Sequence, residues 1–286
     1  MLDLNLYNTK DENTWCPGCG NFSILDAIKL TMAELEYRPE DIVVVSGIGQ
    51  AAKTPHYIRA NGFNGLHGRA LPPAQGIKMA NKNLKVLVIG GDGDAYGEGG
   101  NHFLHGIRRN MDITQIVNDN QIYGLTKGQG SPTTAFGQKT SMQFEGVMQQ
   151  PLNPLAIALS AGATFVGRAF SGHKESLTKV LKAAVQHKGY ALVDILQPCV
   201  SFNKINTFKW YKDRMYMLEE NYDPSDKAQA FMKALQFGDE GIPVGILYEE
   251  KGKPIFEDLH PVLNRDLPLV DRKWEPTQLQ SFLDEF

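Results

Sequence analysis

The chain has 286 residues, 42% of them hydrophobic and 21% charged, with 29 Lys+Arg against 32 Asp+Glu and a formal net charge of −3. That is a globular composition with room for a sizeable core, and it lacks the basic excess that neutralising phosphates requires, so no nucleic-acid partner is expected. No apolar run approaches the roughly 18–20 residues that span a bilayer, and the start, MLDLNLYNTKDENTW, lacks the basic-then-apolar pattern of a signal peptide, so the expectation is a cytoplasmic protein with no membrane contact.

In chain order, residues 22–35 read as a helix, 41–48 (DIVVVSGI) as a strand, 71–81 as a helix and 84–91 (LKVLVIGG) as a strand. A helix at 101–109, a strand at 113–119 (ITQIVND) and a helix at 154–161 follow. Then come a strand at 164–170 (TFVGRAF), a helix at 173–188 and a strand at 190–196 (YALVDIL). The strand segments are nearly continuously apolar and several end in Gly, Asn or Asp, as buried parallel strands do. In the helix at 173–188, Leu177, Val180, Leu181, Ala184 and Val185 share one face. The alternation predicts an α/β fold, a doubly wound and mostly parallel sheet spanning residues 1–205, with ligands at the carboxyl ends of its strands. Residues 206–286 carry scattered proline and charge, a helix-like piece at 226–238 and a strand-like run at 242–248 (IPVGILY). They are expected as an extension packing on the domain or on a partner.

Three cysteines cannot make a disulfide framework. Cys16 and Cys19 sit in CPGC and Cys199 follows 180 residues after Cys19. In a reducing compartment that pattern fits metal ligation or redox chemistry. A plain CxxC turn plus one unrelated buried thiol fits it equally.

The segment richest in chemistry starts where the strand at 84–91 delivers Gly91-Asp92-Gly93-Asp94. Glycines there let backbone amides approach a phosphate. Two carboxylates would repel a bare phosphate, but a Mg²⁺ held by Asp92 reverses that sign. The next strand ends in Asp119-Asn120, which offers an amide oxygen to the same hard cation. GDGD by itself is no more than a strand-to-helix turn. The interval of 26 residues from Asp94 to Asp119 is what lifts it, because it resembles the thiamine-diphosphate signature, in which GDG is followed at such a distance by Asn-Asn. Gln121 stands in place of the second Asn.

Further segments in order, WCPGCGN (15–21), VVVSGIG (43–49), LHGRA (66–70), GGDGD (90–94), YGLTKGQGSPT (123–133) and LQPC (196–199), resemble the β subunit of 2-oxoacid:ferredoxin oxidoreductases. The likeness covers residues 14–211 densely and the tail loosely. It implies a thiamine-diphosphate-binding fold with the diphosphate half of the cofactor site in this chain, and an α (or fused α-γ) partner supplying the pyrimidine half and the glutamate that promotes ylide formation. The implied reaction is decarboxylation of a 2-oxoacid, 2-oxoglutarate before pyruvate, with CoA as co-substrate and electrons passed through an iron–sulfur cluster to ferredoxin. Asp92 and Asn120 side chains and the Ile122 carbonyl would hold Mg²⁺. Ile48, Gly49, His67, Gly68, Gly91, Gly93, Asp94, Gly124, Leu125 and Thr126 would line the cofactor, and Lys53 and Lys127 would flank the substrate. Arg69 shares the cofactor-facing LHGRA segment, while His102 and His105 read as structural.

One position departs from the pattern. The family holds a [4Fe–4S] cluster with two cysteines of WCPGC, one of SGIGC and one of QPC. Here Cys16, Cys19 and Cys199 are present, but Gln50 stands at the fourth position. The options are a [4Fe–4S] cluster with a non-cysteine ligand, which is the favoured one, a [3Fe–4S] cluster, or an empty or zinc-occupied site. A non-oxidative thiamine-diphosphate decarboxylase or carboligase half enzyme, and a zinc-knuckle interaction module, are the competing readings of the whole chain.

Overall fold

The computed structural model describes residues 1–273 and 277–285. Its strands are β1 (Ile42–Ser46), β2 (Asn61–Asn64), β3 (Lys85–Gly91), β4 (Ile113–Asp119), β5 (Phe165–Phe170), β6 (Ala191–Leu196), β7 (Met215–Met217) and β8 (Ile242–Glu249). They form one sheet in the order β2-β1-β3-β4-β6-β5-β8-β7. All pairs are parallel except β5 with β8. The expected α/β, mostly parallel architecture is therefore present.

The apolar runs are continuous because both faces of the sheet are covered. Ile42, Val44, Leu87 and Ile89 point into one layer with helices Gly20–Glu34 and Lys174–Gln186. Val43, Val45, Val86 and Val88 point into the other, under helices Leu71–Ala80, Gly100–Arg109, Pro154–Ala161 and Lys227–Leu235. Truncating one such fully buried Leu or Ile to Ala costs about 2–5 kcal/mol, so this alternation dominates the fold's stability.

Strands β2 and β7 carry no sequence signal. All four residues of β2 (NGFN) are exposed on the sheet edge, and β7 is three residues long. Residues 206–249 add the last two strands to the sheet. β8 joins β5 and carries β7, while Phe170, Leu196, Tyr211, Ile242 and Val244 form a third apolar cluster. Among the described residues no helix is long and apolar enough to cross a membrane.

From β1 the chain first winds outward to β2, then returns to place β3 on the other side of β1. The winding reverses between β1 and β3. Loops leaving the carboxyl ends of two such strands diverge and leave a crevice between them.

Candidate functional site

The loop after β1 (Gly47–Ala51) and the loop after β3 (from Gly91) bound a solvent-open cleft at this reversal. Its walls include Ile48, Gly49, His67, Gly91, Asp92, Gly93, Asp94, Asn120, Ile122, Gly124, Leu125 and Thr126. Of the residues expected around the cofactor, only Gly68 is not on the wall. Gln50, Ala51 and Tyr123 complete it.

Asp94 explains how the walls are fixed. Its Oδ1 accepts the backbone N–H of Ile48 at 3.0 Å and of Gly68 at 2.8 Å, and lies 3.0 Å from His67 Nδ1. One carboxylate thus ties three loops together, and a side chain on Gly47 would run into it. Burial raises the Asp94 pKa, and the two amides and His67 oppose that rise. Asp94 therefore holds the cleft's shape, and Gly68 touches the cleft only through its N–H to that carboxylate.

Asp92 is 1% exposed. Thr133 Oγ1 lies 2.6 Å from Asp92 Oδ2 and 2.9 Å from Asp119 Oδ1. Burial pushes the Asp92 pKa up, with only hydroxyl and amide donors opposing it and no cation of the chain among the described residues. A buried carboxylate without a counter-charge is what a divalent cation relieves. Asn120 stands across from it at the end of β4, with Oδ1 accepting the Ile122 N–H at 3.0 Å. Asp119, behind them, has its pKa raised well above the usual range by burial and then by Asp194 and Asp92. Sequence reasoning misses Thr133, although it ends the segment 123–133.

The hairpin Tyr123–Gln129 carries Gly124, Leu125 and Thr126 against the cleft, closed by the Tyr123–Gln129 bridge. Lys127 sits in its turn with φ 81, exposed, and is not on the cleft wall. Lys53 also lies off the wall, with Nζ 3.2 Å from Thr14 Oγ1. Gln121 adopts φ 57. That left-handed geometry is one Asn tolerates more readily than Gln. Arg69 contacts His102, and His105 contacts Arg108, all on or beside the helix Gly100–Arg109.

The three cysteines are free and come to one corner. Cys19 caps the helix Gly20–Glu34, and its pKa is pushed up to about 11, first by burial, with Cys199 and Cys16 adding to the rise. Ser201 Oγ donates to Cys16 Sγ at 3.1 Å and Gln197 Nε2 to Cys19 Sγ at 3.5 Å. Gln50 reaches this corner through Trp15, whose indole N–H donates to the Gln50 carbonyl at 2.8 Å. Its own Oε1 is buried without a partner. Among the described residues no three His, Cys, Asp or Glu side chains gather closely enough to hold a single metal ion.

Residues 44–195 match the model of the C-terminal TPP-binding domain of thiamine pyrophosphate enzymes, and residues 199–265 that of the C-terminal part of the pyruvate ferredoxin oxidoreductase beta subunit. The chain is 47% identical over 263 residues to the 2-oxoacid:ferredoxin oxidoreductase 1 subunit beta of Aeropyrum pernix, covering 88% of this chain and 82% of that one. It is 46% identical over 252 residues to the corresponding subunit of Saccharolobus solfataricus, covering 84% and 82%. A solved 2-oxoglutarate:ferredoxin oxidoreductase from Magnetococcus marinus, with 2-oxoglutarate, coenzyme A and succinyl-CoA bound, superposes with a TM-score of 0.91 at 34% identity, covering 98% and 96%.

Proposed function

Because the chain belongs to the family of 2-oxoacid:ferredoxin oxidoreductase β subunits, we propose that it forms the diphosphate-binding half of a CoA-dependent enzyme that oxidatively decarboxylates a 2-oxoacid. The carrying observation is that residues dispersed from Ile48 to Thr126 converge on one cleft at the winding reversal, beside three converging thiols. 2-Oxoglutarate is the preferred substrate, supported by the ligands of the solved relative, and pyruvate is next.

Asp92 and Asn120, with the Ile122 carbonyl, would hold Mg²⁺, and the amides of the Gly91–Gly93 turn would receive the diphosphate. Bound there, thiamine diphosphate supplies a carbon nucleophile for the keto carbon and an electron sink once CO₂ leaves. Asp94 keeps the two loops at the spacing the cofactor needs, without reorganisation on binding. Ile48 and Leu125 give the ring apolar walls and exclude water. Lys127, next to the cleft-lining Thr126, and Lys53, two residues past Ala51, are the cations for the substrate carboxylate. A carboxylate held too tightly would resist leaving as CO₂, so cations at the rim suit the task.

Cys16, Cys19 and Cys199 would carry a [4Fe–4S] cluster as the one-electron acceptor, with the orphaned Gln50 Oε1 at the fourth corner. Gln50 is also the corner residue that lines the cleft. An α subunit would complete the cofactor site and cover Leu66, Phe144 and Met148, which are 75%, 72% and 73% exposed. Ferredoxin takes the electrons, and the compartment is the cytoplasm.

The test is the chain co-expressed with its partner subunit. It should reduce viologen or ferredoxin with 2-oxoglutarate only when CoA is added, and contain iron and sulfide. CO₂ release without reductant would mark a non-oxidative decarboxylase instead, and one zinc per chain with no iron would refute the cluster.

A further inference from the structure

Gln197 is 1% exposed and stands between the two sites. Its backbone N–H donates to the Asp119 carbonyl at 2.8 Å, which ties the end of β6 to the end of β4. Its side-chain Oε1 accepts from Asn120 Nδ2 at 3.1 Å. Its Nε2 donates to the Pro198 carbonyl at 2.7 Å and to Cys19 Sγ at 3.5 Å.

The orientation of both amides follows from their main-chain partners. The Ile122 N–H can only donate, so the Asn120 atom facing it is oxygen and its NH₂ must face Gln197. The Pro198 carbonyl can only accept, so Gln197 turns its NH₂ there and to the sulfur, and its oxygen to Asn120. Gly20 leaves room for this: a Cβ at 20 would lie 2.9 Å from Gln197 Cγ. The amide is thus clamped in one orientation.

We propose that Gln197 is a positioning residue that couples occupancy of the Mg²⁺–diphosphate site to the reduction potential of the cluster, through the chain Asn120 Nδ2–H to Gln197 Oε1 and Gln197 Nε2–H to Cys19 Sγ. This rests on the reading above that Asn120 faces the metal and Cys19 the cluster. A cation drawing charge from Asn120 Oδ1 makes its NH₂ a stronger donor. That polarises the Gln197 amide and strengthens its N–H to sulfur. Hydrogen bonds that take charge off a cluster sulfur favour the reduced state. The loaded site therefore makes the cluster a better acceptor at the moment electrons become available. Linkage makes the effect reciprocal, so reduction of the cluster by one electron must tighten cofactor binding by the same factor.

The experiment uses the assembled αβ enzyme. The midpoint potential is measured by EPR-monitored dithionite titration with and without thiamine diphosphate and Mg²⁺. Cofactor affinity is measured by calorimetry with the cluster oxidised and reduced. Affinity should tighten about two- to fivefold on reduction, which the constant of about 59 mV per tenfold converts to an upward shift of about 20–40 mV in the loaded enzyme. Gln197→Met, which keeps the side chain's length and removes its three side-chain hydrogen bonds, should lower the potential and make it indifferent to the cofactor. A shift that survives in Gln197→Met overturns the coupling. So does equal affinity in the two oxidation states of the parent, a measurement that needs no variant to fold. A parent enzyme that binds no cofactor or holds no iron fails the function proposed above; one that loads both without linkage fails this inference alone.

Discussion

The cofactor cleft and the thiol corner meet at Gln197 and Gln50, yet different things hold them. The cleft is closed by the chain's own hydrogen bonds: Asp94 gathers Ile48, Gly68 and His67, and Thr133 reaches both Asp92 and Asp119. At the thiol corner the sulfurs' hydrogen-bond donors among the described residues are Ser201 and Gln197, and burial, with the neighbouring thiols, pushes the Cys19 pKa up to about 11. A charge-bearing staple shapes one region before anything binds. The other gathers three free thiols, which on the function proposed above would take their strong bonds from a cluster. One polypeptide can therefore keep a preformed crevice beside a corner that takes its order from its occupant.

The largest expected effects would break that contrast if it is wrong. Asp92→Ala should weaken thiamine-diphosphate affinity at least about 100-fold, the scale of losing a first metal ligand, with iron content unchanged. Cys199→Ser should do the reverse: iron is lost and viologen reduction with it, while cofactor affinity moves by less than about fivefold. Calorimetry and iron analysis on both variants decide the matter. Full affinity in Asp92→Ala would remove the metal assignment, and loss of cofactor binding in Cys199→Ser would merge the two regions into one.

A pH experiment asks how far the fixed region extends behind the cleft. Asp194 on β6 accepts the Tyr96 hydroxyl at 2.8 Å, and burial raises its pKa from 3.8 to about 6, with Arg168 opposing. Between those values the folded chain holds a proton that the unfolded chain has released. The stability from this group is complete below pH 3.8 and is lost as pH rises through about 6. Asp194→Asn should lack that slope in urea midpoints taken from about pH 4 to 7. Identical slopes in parent and variant would place the titration elsewhere.

The smallest effect separates shape from chemistry at the cleft's rim. Lys127 holds φ 81, so Lys127→Gly should raise stability by about 0.5–1 kcal/mol. Turnover should fall about tenfold or more with cofactor affinity intact, if the ammonium serves the substrate carboxylate. Unchanged turnover would return Lys127 to the solvated surface.

The legible parts of this molecule are those in which one segment states its own requirement. The central strands read from their apolar runs because both faces are buried, and the Asp92-to-Asn120 interval reads because the ends of two neighbouring strands must open on one cleft. The strand Asn61–Asn64 was invisible because an exposed edge needs no apolar residue. Thr133, Asp94 and Gln197 were legible as members of motifs and illegible as to role. Their partners lie 41, 46 and 178 residues away in Asp92, Ile48 and Cys19, and a contact across that separation leaves no local pattern.

The three-way grip of Asp94 also bears on assembly. A crevice shaped without help from a second chain can take up its diphosphate and cation first. On the function proposed above, an incoming subunit would then meet a face that already displays the heterocycle, and the small molecule would become part of the glue between two polypeptides. Thiamine supply would then govern how many complete enzymes are built as well as how fast each one works.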